Sequence, residues 1–388
     1  DSMEIDRMQF RGYRRPDGRV GIRNYVAVVS TVFCSASVAR MIAGATGAAE
    51  ITHDGGCGQL GPDKAHTERV LHGVASHPNV GAVLVVGLGC EQIDASTLAA
   101  AAAGKPAQHV DIHAVGGNQA AVKAGIEMVQ ELEAAVANAE RQPTGVDELI
   151  LATQCGSSDT GSGLASNPAV GVLADTLVAA GGTVLLGETG SLYGAAGIMA
   201  KRAVSPEIGR RIIEITDVLE QYYGRMGKSL KEANPTPGNI AGGLTTLVEK
   251  SLGGVRKGGT TPIQGVLEPA ERVTGKGLWI MDTSMGLGAC GTADMLASGA
   301  QIMAYTTGRG NPVGSPVGPV IKITATRGTA ENLPDIIDFD ASPVLYGEES
   351  LEACGQRLYS EFLAVANGKL TKAEESGHTV FAIGKMVV

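Results

Sequence analysis

NYVAVVSTVF, residues 24–33, decides the fold. Its centre is an unbroken run of small and β-branched apolar residues. Such a run suits a strand buried on both faces, as in a parallel sheet covered by helices. The neighbouring chain repeats the theme. GAVLVVG (81–87) reads as a second buried strand and HVDIHAV (109–115) as a third. PDKAHTERVLHGVA (62–75) reads as a helix with Pro62 in its first turn, and GGNQAAVKAGIEMVQELEAAVANAE (116–140) as a long helix opened by Gly-Gly. This alternation predicts a mostly parallel sheet with helices on its faces.

RQPTGVDE (141–148) is polar, holds a Pro and a Gly, and reads as a domain boundary. The rhythm then restarts. ELILATQ (148–154) and TVLLGE (183–188) read as strands, NPAVGVLADTLVAAGG (167–182) as a helix, and SPEIGRRIIEITDVLEQYYGRM (205–226) as a helix capped by Ser205. Beyond residue 230, GLWIMDTSMG and QIMAYTTGRGNPVGSPVGPVIKITA read as strands running into glycine-rich loops. Residues 347–367 read as a helix and the final FAIGKMVV as a strand. The expected architecture is α/β: an N-terminal Rossmann-like parallel-sheet domain over 10–141, then a larger α/β C-terminal domain over 146–388.

The composition agrees with a packed α/β chain. Of 388 residues 44% are hydrophobic and only 4% aromatic, with 55 glycines for short loops. The net charge is −9 and no Lys/Arg run occurs, which argues against nucleic acid and anionic membranes as partners. No run of about 18 apolar residues predicts a membrane span, and the start lacks an apolar signal core. Six cysteines in so long a chain do not make a secreted disulfide scaffold, so a cytoplasmic enzyme with thiols is expected.

In open α/β sheets ligands bind beyond the carboxyl ends of the strands. Several reactive residues are predicted there: Cys34, His53 and Cys57 in HDGGCGQLG, Cys90 and Glu91, Cys155 in QCGSSD, and Glu188 in GETGSLYG. Cys34 and Cys354 suit the role of small buried hydrophobes. Cys57, Cys90 and Cys155 each adjoin glycine in a polar loop. Three thiols from three loops could face one metal or iron–sulfur cluster, or be unrelated. His53, beside Asp54 and near Cys57, is a candidate ligand or base. Lys201 and Lys250 are candidate acids or bases, although a helical lysine is more often solvated. His72 and His77 read as surface residues. Arg14, Arg15, Arg19 and Arg23 crowd into GYRRPDGRVGIRN (12–24), either as a solvated turn bent at Asp-Gly or as an anion site; Arg309 lies between glycines that suit anion binding. No phosphate loop or dinucleotide fingerprint is present, which argues against a nicotinamide oxidoreductase.

Taken in order, GYRRPDGRVGIRNYVAVVSTVFC, HDGGCGQLG, HPNVGAVLVVGLGCEQ, QCGSSD, GETGSLYGAAGIMAKRAVS, NPTPGNIAGGLTTLVEKSLGG, MDTSMG and AYTTGRGNPVGSPVGPVIKITA resemble the galactarate/altronate dehydratase family. The resemblance runs from about residue 10 to 385. It implies a lyase performing β-elimination on a 2-hydroxycarboxylic acid to give a 2-keto acid. A sugar-acid dehydratase is the leading reading; the alternatives are the large subunit of a (2R)-sulfolactate sulfo-lyase and a non-catalytic anion-binding subunit. It also implies a divalent metal, Fe2+ first, with a four-iron cluster as alternative, an oligomer, and a separate small SAF-type subunit. On this reading Cys57, Cys90 and Cys155 are the metal ligands, and His53, Glu188 and Lys201 the acid–base candidates. Arg14, Arg15, Arg19, Arg23 and Arg309 would bind the hydroxy-acid substrate.

Overall fold

A computed structural model describes residues 8–283 and 288–385. In chain order its strands are β1 (Gln9–Arg14), β2 (Val20–Gly21), β3 (Tyr25–Ser30), β4 (Ala49–Ile51), β5 (Val80–Gly87), β6 (Ala107–Asp111), β7 (Gln142–Gly145), β8 (Ile150–Cys155), β9 (Thr183–Leu186), β10 (Ile263–Leu267), β11 (Gly277–Met281), β12 (Ile302–Thr306), β13 (Val320–Thr324) and β14 (Phe339–Asp340).

The buried run of residues 24–33 supplies β3, which lies inside a four-stranded parallel sheet ordered β4-β3-β5-β6. Both of its faces are covered. Val26 and Val28 pack with Leu84 and Val86 against helices Ala36–Thr46 and Asn118–Val136. Ala27 and Val29 face the other way, with Val83 and Val85, toward helix Gly61–Ala75. The period-two pattern that would mark a half-exposed strand is therefore absent for a physical reason.

The second sheet has seven strands, all parallel, ordered β10-β11-β9-β8-β12-β13-β14. One face packs on helices Asn167–Ala179 and Leu351–Ala366. The other joins the first sheet through a shared layer. Val70, Leu71 and Val74 of helix Gly61–Ala75 meet Met295 and Leu296 of helix Gly288–Ala297, and Ala152, Leu185 and Met303 close the layer from the large sheet. The two helices are so close that a Cβ at Gly73 would stand 2.2 Å from the Ala297 carbonyl oxygen.

Two elements differ from the expectation. Residues 142–145, within the stretch read as a domain boundary, form an edge strand: β7 pairs antiparallel with β1, Gln9 opposite Gly145, and Pro143 is tolerated at such an edge. The terminal FAIGKMVV is not a strand over 381–385, and 386–388 lie outside the described residues, as do 284–286 of MDTSMG. Ile383 is buried and Phe381 partly so in the shared layer. Their apolar character therefore serves packing without a ladder. The Asp-Gly bend is the hairpin between β1 and β2, with Arg14 opposite Val20 and Gly18 at φ +86°.

Candidate active site

The large sheet has its topological switch point between β8 and β12. These strands run side by side, with Cys155 opposite Thr306. From β8 the chain goes on to β9 on one side, and from β12 to β13 on the other. Loops leaving in opposite directions open a crevice at the carboxyl ends, the usual ligand position of such sheets. A cavity of about 480 Å³ lies there, lined by Cys155, Glu188, Lys250, Thr283, Tyr305 and Asn311 among others.

Glu188 dominates its chemistry. The residue follows β9 and adopts φ +70° and ψ +74°, a left-handed conformation rare for a side chain of this kind. Strain of this sort costs on the order of 1–3 kcal/mol and clusters at functional sites. It is held by its neighbours: the Glu188 amide donates to Thr283 Oγ1 at 2.7 Å, and its carbonyl accepts from the Ser191 amide at 2.8 Å. Three donors then converge on a single carboxylate oxygen. Oε2 accepts from the Cys155 amide at 2.9 Å, from the Cys155 thiol at 2.8 Å and from Lys257 Nζ at 3.3 Å. Among the described residues Oε1 has no hydrogen-bond donor.

Lys257 is wholly buried. Burial disfavours its ammonium, but Cys155 and Glu188 outweigh that penalty and raise its pKa, so the cation persists. Burial pushes the Cys155 thiol up, reinforced by the Glu188 charge, so the thiol keeps its proton and donates it. Tyr305 ends on the cavity with its hydroxyl accepting from Asn311 Nδ2 at 3.2 Å. Burial, then the Glu188 charge, pushes its pKa far up and keeps the phenol protonated. Lys250 Nζ, on the cavity wall, donates to Asn234 Oδ1 and Asn239 Oδ1 at 3.0 and 3.1 Å. Gly156 makes the crowding possible: a Cβ there would meet the Tyr305 hydroxyl at 2.1 Å. Behind it, Asp159 receives the amide and hydroxyl of Ser162 and the hydroxyl of Thr326, tying the loop after β8 to the segment after β13.

Of the residues expected from sequence, Cys155, Glu188 and Lys250 come together here. The others do not. Cys57 and Cys90 are exposed in loops after β4 and β5 while Cys155 is buried at the end of β8, and among the described residues the three do not gather as a metal-binding group. Cys34 is exposed, not buried. Lys201 is exposed after the short helix Ala196–Ala200 and does not line the cavity. His53 is buried with both ring nitrogens engaged, Nε2 with the Ser30 carbonyl at 3.0 Å and Nδ1 accepting from the Gly55 amide at 3.1 Å. Burial lowers its pKa, so it is a neutral loop brace. His77, read as a surface residue, is fully buried against the Ala300 carbonyl at 2.9 Å.

The arginines are spent elsewhere. Arg15 donates to the carbonyls of Pro78 and Arg23 and to Asn24 Oδ1, at the amino ends of β3 and β5. Arg23 pairs with Glu374 at 2.7 Å and donates to the carbonyls of Ile22, Val365 and Lys369. Arg19 is held by Asp17 and the Ser76 carbonyl, and Arg14 by Gly18. These guanidinium groups satisfy orphan carbonyls at the ends opposite the ligand crevices. Arg309 is exposed on the loop after β12, with its amide on the Ser157 carbonyl at 3.2 Å.

Lys257 and Tyr305 went unread in the sequence. The signal for Lys257 was a lysine between glycine pairs in GGVRKGG; a Cβ at Gly258 would stand 3.1 Å from Leu186, so the turn presses onto β9. Among the described residues no three His, Cys, Asp or Glu side chains gather closely enough to hold a metal ion. At Cys155 and Glu188 the place beside the carboxylate is taken by the Lys257 cation, so these donors do not fit a metal.

Comparison with known proteins places this geometry. Residues 146–388 match the family described as D-galactarate/altronate dehydratase, C-terminal, and residues 12–137 match the second domain of D-galactarate dehydratase/altronate hydrolase. The chain is 37% identical over 387 residues to a (2R)-sulfolactate sulfo-lyase subunit beta of Chromohalobacter salexigens, covering 99% of both chains. It is 32% identical to an altronate dehydratase of Bacillus subtilis, covering 97% of this chain and 77% of that one. It is 34% identical to a galactarate dehydratase (L-threo-forming) of Escherichia coli, covering 93% of this chain and 73% of that one. No helix among the described residues is long and apolar enough to cross a membrane. With both family models matched and these relatives aligned over nearly all of its length, the chain belongs to the galactarate/altronate dehydratase family.

Proposed function

We propose that the chain is a lyase that removes water from a 2-hydroxycarboxylic acid of the sugar-acid class, leaving a 2-keto acid. The carrying observation is the Glu188 carboxylate, fixed through Oε2 by three donors while Oε1 stands at the cavity without one. Oε1 is the base for the C2 proton. Tyr305, kept protonated, gives its proton to the hydroxide leaving C3. The enol left behind tautomerises to the ketone, and the net change is loss of one water. Lys250 holds the substrate carboxylate, which as an anion is drawn to the cavity's accessible ammonium. Donors already fixed in place stabilise the developing enolate without the reorganisation that water would need.

The sugar-acid reading rests on the lining. Ser157, Ser191, Asn234, Thr236, Thr283 and Asn311 offer the hydroxyls and amides that a polyol chain needs. Sulfolactate is the second reading, favoured by the higher identity to the sulfo-lyase subunit. That relative's name marks it as one of several subunits, and a separate small SAF-type subunit is the partner proposed for this chain.

An assay of the chain, alone and with such a small subunit, on altronate, galactarate and sulfolactate tests the reading. Keto acid from a sugar acid without sulfite supports dehydration, whereas sulfite from sulfolactate alone overturns it in favour of the second reading.

A further inference from the structure

The large sheet carries a second cavity at its other end. It measures about 420 Å³ and lies against Ile150 and Thr183, the first residues of β8 and β9. Cys155 and Glu188 stand at or beyond the far ends of those same strands, so the two cavities are separate. Both halves of the chain share the wall of this one. The β1–β2 hairpin supplies Arg19, and the segment between β10 and β11 supplies Arg272 and Lys276. Ser298 and Gly299, just past helix Gly288–Ala297, close it. Three cations thus face one cavity in a chain of net charge −9. Among the described residues the lining holds one carboxylate, Glu148, and it forms no ion pair with them.

The two guanidinium groups are only partly used. Arg19 gives Nε to Asp17 and Nη2 to the Ser76 carbonyl. Its Nη1 has no acceptor among the described residues and lies beside Gly299, where a Cβ would stand 3.9 Å from it. Arg272 is exposed, and its side chain donates no hydrogen bond among the described residues. The pair stands close enough to repel. Burial lowers the Arg19 pKa, the Asp17 carboxylate opposes that, and the Arg272 charge lowers it further. Lys276 Nζ donates to the Asp147 carbonyl, a neutral partner that leaves its charge uncompensated. Like charges held together are destabilising, and an anion between them relieves the repulsion. We propose that this cavity binds a phosphorylated small molecule, with the phosphate between Arg19 and Arg272. A phosphate has the oxygens and the charge to meet two guanidinium forks at once, which a single carboxylate does not. The volume falls in the range of small-molecule pockets and leaves room beyond the phosphate for an organic part.

Trp279, the single tryptophan of the chain, reports on this site. Its Nε1 donates to the Lys276 carbonyl at 3.3 Å, and a Cβ at Gly275 would stand 2.6 Å from its ring. The test is a titration of the full chain with inorganic phosphate and with glycerol 3-phosphate at constant ionic strength, read by tryptophan fluorescence. Equilibrium dialysis with labelled phosphate counts the sites. The expected result is a saturable change, one site per chain, and tighter binding of the ester than of free phosphate. Arg272→Gln should weaken both by about tenfold or more, the scale of a lost charge-assisted hydrogen bond. Arg14→Gln, on the same hairpin but outside the lining, should bind as the wild type does. Urea melts check that each variant is folded. An ester that binds no more tightly than free phosphate would overturn the phosphorylated ligand. Absence of saturable binding, an equal response to acetate, or unchanged affinity in folded Arg272→Gln would overturn the site. Binding is read rather than turnover, so the result is independent of the proposed dehydration.

Discussion

Lys257 Nζ, with no solvent exposure of its own, stands 3.3 Å from Glu188 Oε2 beneath the cavity floor. The pair separates catalysis from stability. Glu188→Gln removes the proposed base and should lower kcat by about 10²–10⁴-fold with little change in KM. It also strands a buried ammonium, which should cost about 3 kcal/mol. Adding Lys257→Met restores a neutral, filled site. The double variant should recover most of the stability in urea melts and none of the keto-acid formation. Recovery of both would show that Glu188 serves the fold alone.

Gly156 offers a steric test. A methyl group there would overlap the Tyr305 hydroxyl at 2.1 Å and Asn311 Nδ2 at 2.7 Å. Gly156→Ala should displace the phenol and reduce kcat by about 100-fold, the scale of a misplacement near 1 Å. Steady-state kinetics beside a circular-dichroism melt would check it; full activity would remove Tyr305 from the mechanism.

How far the sequence reaches is visible in these residues. The strands β3 and β5 were legible because burial on both faces leaves an unbroken apolar run. Glu188 and Cys155 were legible because ligands of open α/β sheets bind beyond the strands' carboxyl ends, where both residues stand. Lys257 was not, since its burial comes from a glycine turn pressing on β9, a tertiary fact. The arginines of 12–24 misled because residue type does not reveal whether a guanidinium meets a ligand or a carbonyl end. Phe381 and Ile383 misled because apolar residues can bury in a shared layer without joining a sheet.

The arginine correction predicts opposite outcomes for two neighbours. Arg23 is almost wholly enclosed, bonded to Glu374 and three carbonyls. Arg23→Gln should destabilise by about 3 kcal/mol. Arg14 is exposed, and among the described residues its side chain bonds only the Gly18 carbonyl, so Arg14→Gln should leave kcat/KM and stability unchanged. A large rise in KM for Arg14→Gln would return the hairpin to the substrate site.

His77 gives the pH dependence. Its ring is fully buried, and burial is the chief cause that lowers its pKa to about 3; the Ala300 carbonyl opposes this, and the charges of Lys105, Arg19 and Arg15 add to it. The folded protein therefore holds His77 neutral where the unfolded chain binds a proton. Stability from this residue is present above the unfolded value near 6.5 and is lost as pH falls from there toward 3. Between pH 6.5 and 4 the loss should be roughly 3 kcal/mol. His77→Gln keeps a donor for the Ala300 carbonyl but cannot titrate, so its stability should fall less over that range. Urea unfolding of both proteins across the interval measures the difference, and parallel curves would mean that His77 is protonated in the native state.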